Sequence, residues 1–372
     1  MADTLDDDYG LTKITETPQI AAPDLPYRPP TPKRYRPAIG LVGCGGISAQ
    51  HLSAYRHAGF NVVALCDRNE HKVRDRQEKY FPEAAVYTDY RELLRRDDIE
   101  VVDLTPHPRD RGPIIREALQ AGKHVLSQKP FVTDLDQGEE LCELAERNGV
   151  RLAVNQNGRW APHFSYLRQA VLHDVLGELS TALLTVHWDH SWIIGTAFED
   201  IHDLVLYDFA IHWFDIVTAF FGAREPQRVY AATGRAAGQR ARPPMLAQAL
   251  VEYEGAQATL VFNATVVHGQ QDRTYLAGTK GSALSIGPSL SEQTVTVYTA
   301  EGYGSPQLEG TWFREGFHGA MGELLCAIEE GREPSNSGRE NLRSLALAFA
   351  AIASSHSGEP KVPGQVRTLP QK

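Results

Sequence analysis

At 372 residues the chain is too long for one ordinary domain and predicts two, with ample core for both. Its formal charge of −10 at pH 7 argues against non-specific nucleic-acid binding, which needs a basic face to release counterions. No apolar stretch is long enough to cross a membrane, and Asp6-Asp7-Asp8 near the start is unlike a secretion signal. The four cysteines (Cys44, Cys66, Cys142, Cys326) have neither metal-ligand nor disulfide spacing, so a cytoplasmic protein is expected.

Residues 1–36 are a polar arm with six prolines between Pro18 and Pro32. Such an arm nucleates neither a helix nor a central strand. It reads either as a tail or as an arm lying along the domain or a neighbouring subunit. From 37 to 156, apolar runs alternate with amphipathic helical segments. The runs are Ala38–Val42, Asn61–Cys66, Ala85–Tyr87, Val101–Leu104, His124–Leu126 and Arg151–Val154. Between them lie Ile47–His57, Asn69–Tyr80, Asp89–Arg95, Arg111–Ala121 and Leu135–Asn148, with Gly59, Gly122 and Gly149 as helix stops. This alternation predicts a parallel sheet covered on both faces, an α/β Rossmann domain.

After Asn157 the rhythm changes. Helical segments Pro162–Leu172 and Asp203–Phe221 bracket the alternating run Leu179–Asp189. Then follow Gln227–Thr233, Leu246–Tyr253, Gln257–Val267, Arg273–Leu276, Ala283–Ile286 and Thr294–Tyr298, rich in Val, Thr and Tyr. They predict a C-terminal α+β domain over 157–372 with a large, mostly antiparallel open sheet. The late helices Gly319–Glu330 and Arg339–Ser355 are free to pack back on the first domain. An open sheet face needs covering, so a homo-oligomer, dimer or tetramer, is expected.

Three stretches carry chemistry. In Ala38–Leu52 an apolar strand meets Gly43, Gly45, Gly46 and Ile47 and then a helix start, a seat for a pyrophosphate on unpaired backbone N–H groups. Ser48 takes the third glycine position and is small enough for close helix–strand packing. Asp67, about 20 residues on, can accept both ribose hydroxyls and repel a 2′-phosphate, favouring NAD over NADP; neighbouring Arg68 could face a phosphate or stack on adenine. Lys129, in His124–Phe131, lies at the end of the fifth strand, where ligands bind in open α/β sheets. There it could hold a substrate oxygen and stabilise developing charge. In Asp203–Phe221, helical spacing puts Asp208, His212 and Asp215 on one face, with Asp208 placed to orient His212 as a proton acceptor. A buried structural His–Asp pair or a metal site with His187, His190 or His202 are the competing readings; no tight ligand pattern appears, so no metal is expected.

Taken together, the glycine turn, Lys129-Pro130 after the fifth strand, the two-domain order and the Asp208…His212…Asp215 helix resemble the glucose–fructose oxidoreductase/inositol dehydrogenase family (Gfo/Idh/MocA). Val102–Pro106, Ala121–Val125, Gly177–Leu179 and Gly278–Ser282 support the resemblance, which spans residues 37 to about 365. It implies hydride transfer between a nicotinamide cofactor and a sugar, polyol or related carbonyl. Lys129 matches the catalytic lysine, and Asp208 and His212 match the acid and histidine. Thr105, Pro106 and His107 would flank the nicotinamide, and Asn155 to Trp160 would lead into the site. Gln128 stands where the family usually has glutamate, and reads as a subfamily variation. Arg159, Trp160, His163, His190, Trp192 and His318 are candidate substrate contacts by position and type. Three other activities suit the same residues: NAD-retaining glycoside cleavage, a self-recycling sugar oxidoreductase, and a non-catalytic NAD-bound sensor.

Overall fold

The computed structural model describes residues 15–371, so Asp6–Asp8 and the first part of the arm lie outside the described residues. The first unit runs β1 (Ala38–Val42), α1 (Ser48–Ala58), β2 (Val62–Cys66), α2 (Glu70–Tyr80), β3 (Ala85–Tyr87), α3 (Tyr90–Leu94), β4 (Ile99–Leu104), α4 (Pro108–Gln120), β5 (His124–Gln128), α5 (Leu135–Arg147) and β6 (Leu152–Asn155). All six strands are parallel in the order β3-β2-β1-β4-β5-β6. The chain therefore reverses direction of winding between β1 and β4, and the crevice outside their C-terminal ends is where a ligand binds. Local chemistry sets the helices. Asn69 and Asp134 accept backbone N–H groups at the starts of α2 and α5. Gly59, Gly122 and Gly149 end helices with φ of 71°, 71° and 67°.

The second unit contains α6 (Pro162–Leu172), β7 (Leu179–His187), α7 (Ile211–Phe221), β8 (Arg228–Gly234), β9 (Leu246–Tyr253), β10 (Ala256–Asn263), β11 (Gln271–Gly278), β12 (Gly281–Ser289), β13 (Glu292–Thr299), β14 (Gly302–Gly304), α8 (Arg314–Glu330) and α9 (Gly338–Ser357). Its eight strands are ordered β14-β13-β12-β11-β7-β10-β9-β8. Every adjacent pair is antiparallel except β10 with β7. Alternate residues of β7 (Ala182, Leu184, Val186) are buried under α7, and α9 lies along β8. The opposite face carries the half-buried Leu183, Leu250, Val261 and Tyr275.

The units meet along several contacts, among them α9 on α5. Helix α8 lies on α1 and on the short turn Asn157–Trp160, close enough that a Cβ at Gly319 would overlap the Trp160 ring. The described part of the arm runs extended across this helix. Glu329 accepts the backbone N–H groups of Lys33, Arg34 and Tyr35, and Leu25 enters the core. Deeper, inside the second unit, Arg159 makes a two-pronged ion pair with Asp215 at 2.5 and 2.8 Å, with side chains only 4% and 1% exposed. Ser344 also donates to Asp215 at 2.9 Å. Removing one member strands a buried charge, so Asp215→Ala is expected to cost about 3–5 kcal/mol in urea unfolding.

Candidate active site

The glycine turn is shaped by its neighbours. At Gly43 φ is +99°, and a Cβ there would stand 2.7 Å from Thr105 Oγ1. At Gly45 and Gly46 a Cβ would meet open space, so the turn offers bare backbone to the crevice. Ser48 Oγ donates to Gly45 O at 2.6 Å, and no side chain caps α1. Arg76, from α2, reaches back to Ser48 Oγ at 3.2 Å and sets a cation beside the turn; sequence reasoning missed it. Asp67 closes the other side, accepting Cys44 N at 2.8 Å and Asn69 N at 2.9 Å. Arg68 extends into solvent. These residues fit a dinucleotide: the bare turn would hold its pyrophosphate and Asp67 its ribose hydroxyls.

A cavity of about 840 Å³ opens from this turn into the space between the units. Gly45, Gly46, Ile47, Thr105, Pro106, His107, Gln128 and Lys129 line one wall; Trp192, Asp208 and His212 lie on the other. Lys129 projects from the end of β5, and its Nζ donates to Asp208 Oδ1 at 3.1 Å and to Asp208 O at 2.9 Å.

Asp208 and His212 reach the cavity by a route that simple helical spacing does not give. Val205–Phe209 form a π-turn closed by Ala210 N donating to Val205 O at 2.8 Å, and α7 begins only at Ile211. The single face expected for Asp208, His212 and Asp215 is not found: the first two line the cavity, while Asp215, in the regular helix α7 with His212, turns to Arg159. The expected pairing of Asp208 with His212 is also corrected, since the Asp208 carboxylate holds Lys129 and His212 Nδ1 has no partner among the described residues.

Other candidates fall outside the cavity. Arg159 is locked in its ion pair, and His318 Nε2 lies 3.0 Å from Thr31 Oγ1 against the Phe60 ring. His163 is buried on Phe164, Trp160 is buried beside α8, and Asn155 lies behind the wall. None of these lines the cavity. His190 and Trp192 do line the cavity. His202, Asp203 and His356 form a separate cluster, with imidazole nitrogens 3.0 to 3.2 Å from the Asp203 carboxylate; it ties the start of the π-turn to α9.

Behind Gln128 lies a polar column that sequence reasoning also missed. Asp103 Oδ2 stands 2.7 Å from both His51 Nδ1 and Tyr55 OH, and all three residues are fully buried. A carboxylate only accepts, so Nδ1 carries the proton and Nε2 is an acceptor. That nitrogen faces Gln128 Nε2 at 3.1 Å and Asn155 Nδ2 at 3.3 Å. Gln128 Oε1 then accepts the backbone N–H of Lys129 at 2.6 Å.

Burial, and secondarily the Lys129 ammonium, push His212 well below the usual imidazole range, so its ring is neutral at pH 7. Burial lowers His190 to about 4 and His163 to about 3.

A parallel six-stranded domain with a bare glycine turn, joined to an open-sheet domain across a cavity holding lysine, aspartate and histidine, defines a dinucleotide-dependent oxidoreductase. The GFO/IDH/MocA oxidoreductase family, NAD-binding Rossmann fold, matches residues 38–156, and that family's C-terminal domain matches residues 164–284. The chain belongs to this family. D-apiose dehydrogenase of Paraburkholderia graminis is 26% identical over 361 residues, 88% of this chain and 89% of that one. Inositol 2-dehydrogenase of Rhizobium meliloti is 25% identical over 330 residues, 85% and 96% of the two chains. An oxidoreductase from Agrobacterium radiobacter, solved with NAD+, L-tartaric acid and magnesium, superposes with a TM-score of 0.79 at 20% identity, over 88% of this chain and 99% of that chain.

Two outcomes are expected from the buried polar groups. Gln128→Glu sets a carboxylate oxygen against an imidazole nitrogen with no proton to give, and urea unfolding at about pH 8 should show a loss of about 1–3 kcal/mol. His163 and His190 titrate lower in the folded protein than the value of about 6.5 in an unfolded chain. Their contribution to stability is complete above that value and is lost as pH falls through it towards about 4 and about 3, because the unfolded chain binds protons first. Thermal unfolding should therefore move to lower temperature between about pH 7 and about pH 5.

Proposed function

We propose that this protein is a dehydrogenase that moves hydride between a CH–OH carbon of a sugar, polyol or inositol-like substrate and NAD, with NADP the less favoured cofactor. The observation that carries this reading is the Lys129–Asp208 contact beside His212, in a cavity that begins at the glycine turn. The names of the relatives, apiose and inositol dehydrogenases, support a polyhydroxylated substrate. Asp67, fixed at the end of β2, supports NAD.

When bound, the nicotinamide supplies the hydride acceptor. The protein supplies the rest. Neutral His212 is the acceptor for the hydroxyl proton, and its low proton affinity leaves it free to receive one at pH 7. Lys129 Nζ, steadied by Asp208, holds the same oxygen and stabilises charge as the proton leaves. Asp208 thus positions the lysine. Thr105, Pro106, His107 and Gln128 flank the face where the nicotinamide would rest. Asn155 acts through Gln128.

We also propose a cytoplasmic homo-oligomer, dimer or tetramer. The half-buried apolar residues on the open sheet face support a covered surface, and four free, buried cysteines suit a reducing compartment.

A screen of sugars, inositols and sugar acids with NAD and NADP, followed by NADH absorbance, tests the assignment. Lys129→Ala and His212→Ala should each lower kcat by about a hundredfold or more. Near-normal turnover in both would overturn it. Accumulating NADH also separates the reading from cofactor-retaining glycoside cleavage or self-recycling, and turnover of any kind separates it from a sensor.

A further inference from the structure

The cavity is sharply divided in polarity. Its side-chain charges gather at one end, where Lys129 is paired with Asp208. The only other cation among the described lining residues, Arg111, is fully buried and donates to Pro106 O and Pro130 O. From that end an unbroken line of rings leads to the mouth: His212, Trp312, Trp213, Trp188, His190 and Trp192. Successive centroids are 5.4, 6.0, 5.6, 4.6 and 6.0 Å apart. None of the six carries a carboxylate, carboxamide or hydroxyl, and their polar atoms are ring nitrogens, of which His190 Nδ1 and Trp213 Nε1 have no partner among the described residues. Trp192, at the mouth, is held edge-on by Phe198 at 5.4 Å and remains 55% exposed. An exposed indole at the rim of a cavity is uncovered apolar surface waiting for a ligand.

We propose that this ring strip is a subsite for a flat apolar substituent, so that the substrate is a neutral aryl glycoside rather than a free or acidic sugar. The inference rests on the dehydrogenase reading for the position of the sugar ring and adds what lies beyond it. The sugar ring belongs at the Lys129–Asp208–His212 end, where the charged groups and the proton acceptor lie. A second sugar along the strip would find only ring nitrogens for most of its hydroxyls. A carboxylate or phosphate would find no free cation, whereas an aryl group stacks on the accessible indoles of Trp188 and Trp192 and gives up its hydration.

The test compares phenyl with methyl β-glycosides of glucose, galactose and xylose, and with phenyl β-D-glucuronide, on the full-length protein. Turnover is read with NAD, and binding to the NADH-saturated protein by calorimetry. The phenyl glycoside should exceed its methyl counterpart about tenfold or more in kcat/KM and in affinity, as burial of one aromatic ring allows. The glucuronide should bind more weakly than the glucoside. Trp192→Ala should lower the phenyl-to-methyl ratio about tenfold, and Trp192→Phe should restore most of it. Phenyl and methyl ligands equal within about twofold, a ratio indifferent to Trp192→Ala, or no binding by any phenyl glycoside would each overturn the subsite. The two readings fail separately. Tighter, Trp192-dependent phenyl binding without NADH would sink the dehydrogenase and keep the subsite, while NADH formation with no phenyl preference would do the reverse.

Discussion

The contact between Lys129 and Asp208 is the constraint on which the site depends. One partner stands at the end of the fifth parallel strand and the other on the π-turn of the second unit, 79 residues apart. Both side chains are only 17% exposed, so neither charge is fully hydrated and each needs the other. Their separation of 3.1 Å fixes how far the glycine turn stands from the wall of rings. The broad packed surfaces between the units lie elsewhere, at α8 on α1 and α9 on α5. The lysine contact supplies registration, placing an ammonium and an imidazole around one point.

That registration is set from behind as well as from the front. Gln128 holds the backbone of Lys129, and Asp103 fixes the tautomer of His51 that Gln128 needs. The chain is thus matched to glutamine at 128: an amide can donate to a neutral imidazole and accept from a backbone N–H at once, which a carboxylate cannot. The departure from the family's usual glutamate is built into its surroundings, with His51 and Asn155 as the compensating partners. A site whose reacting groups rest on buried supports held by hydrogen bonds loses little to reorganisation during the reaction.

Those parts of the site that depend on local backbone geometry were legible in the sequence. The glycine turn, Asp67 and Lys129 follow from strand–turn–helix rhythm, and the order of strands and helices in both units could be read from periodicity. The misreadings have physical reasons. Helical spacing assumes a constant rotation per residue, so the π-turn at Val205–Phe209 is invisible to it, and Asp215 parts from His212 because its partner Arg159 is remote in sequence. Arg159 read as a substrate contact because its partner lies 56 residues away, and nothing local shows that its charge is already spent. His51 and Arg76 sit in ordinary helical patterns and acquire their roles only when β4, β5 and the glycine turn converge on them. The three-residue β14 is too short to leave a periodic signal.

The substrate wall has a different logic from the cofactor wall, and this bears on how it selects. The segment from Asp189 to Ile201 that carries Trp192 is secured at both ends. Near Asp189 it bridges to Thr265, and His190 N donates to Ala264 O at 3.0 Å. Beyond Ile201, Asp203 is gripped by His356, while Arg242 holds Asp200 at 2.6 Å. The ring line is therefore assembled before a ligand arrives, so little ordering entropy opposes binding. A preformed apolar surface discriminates by the area a ligand can cover, whereas the glycine turn discriminates by charge and hydrogen bonds to backbone. Relatives that share the cofactor wall can then differ in substrate through the side chains of one tethered segment.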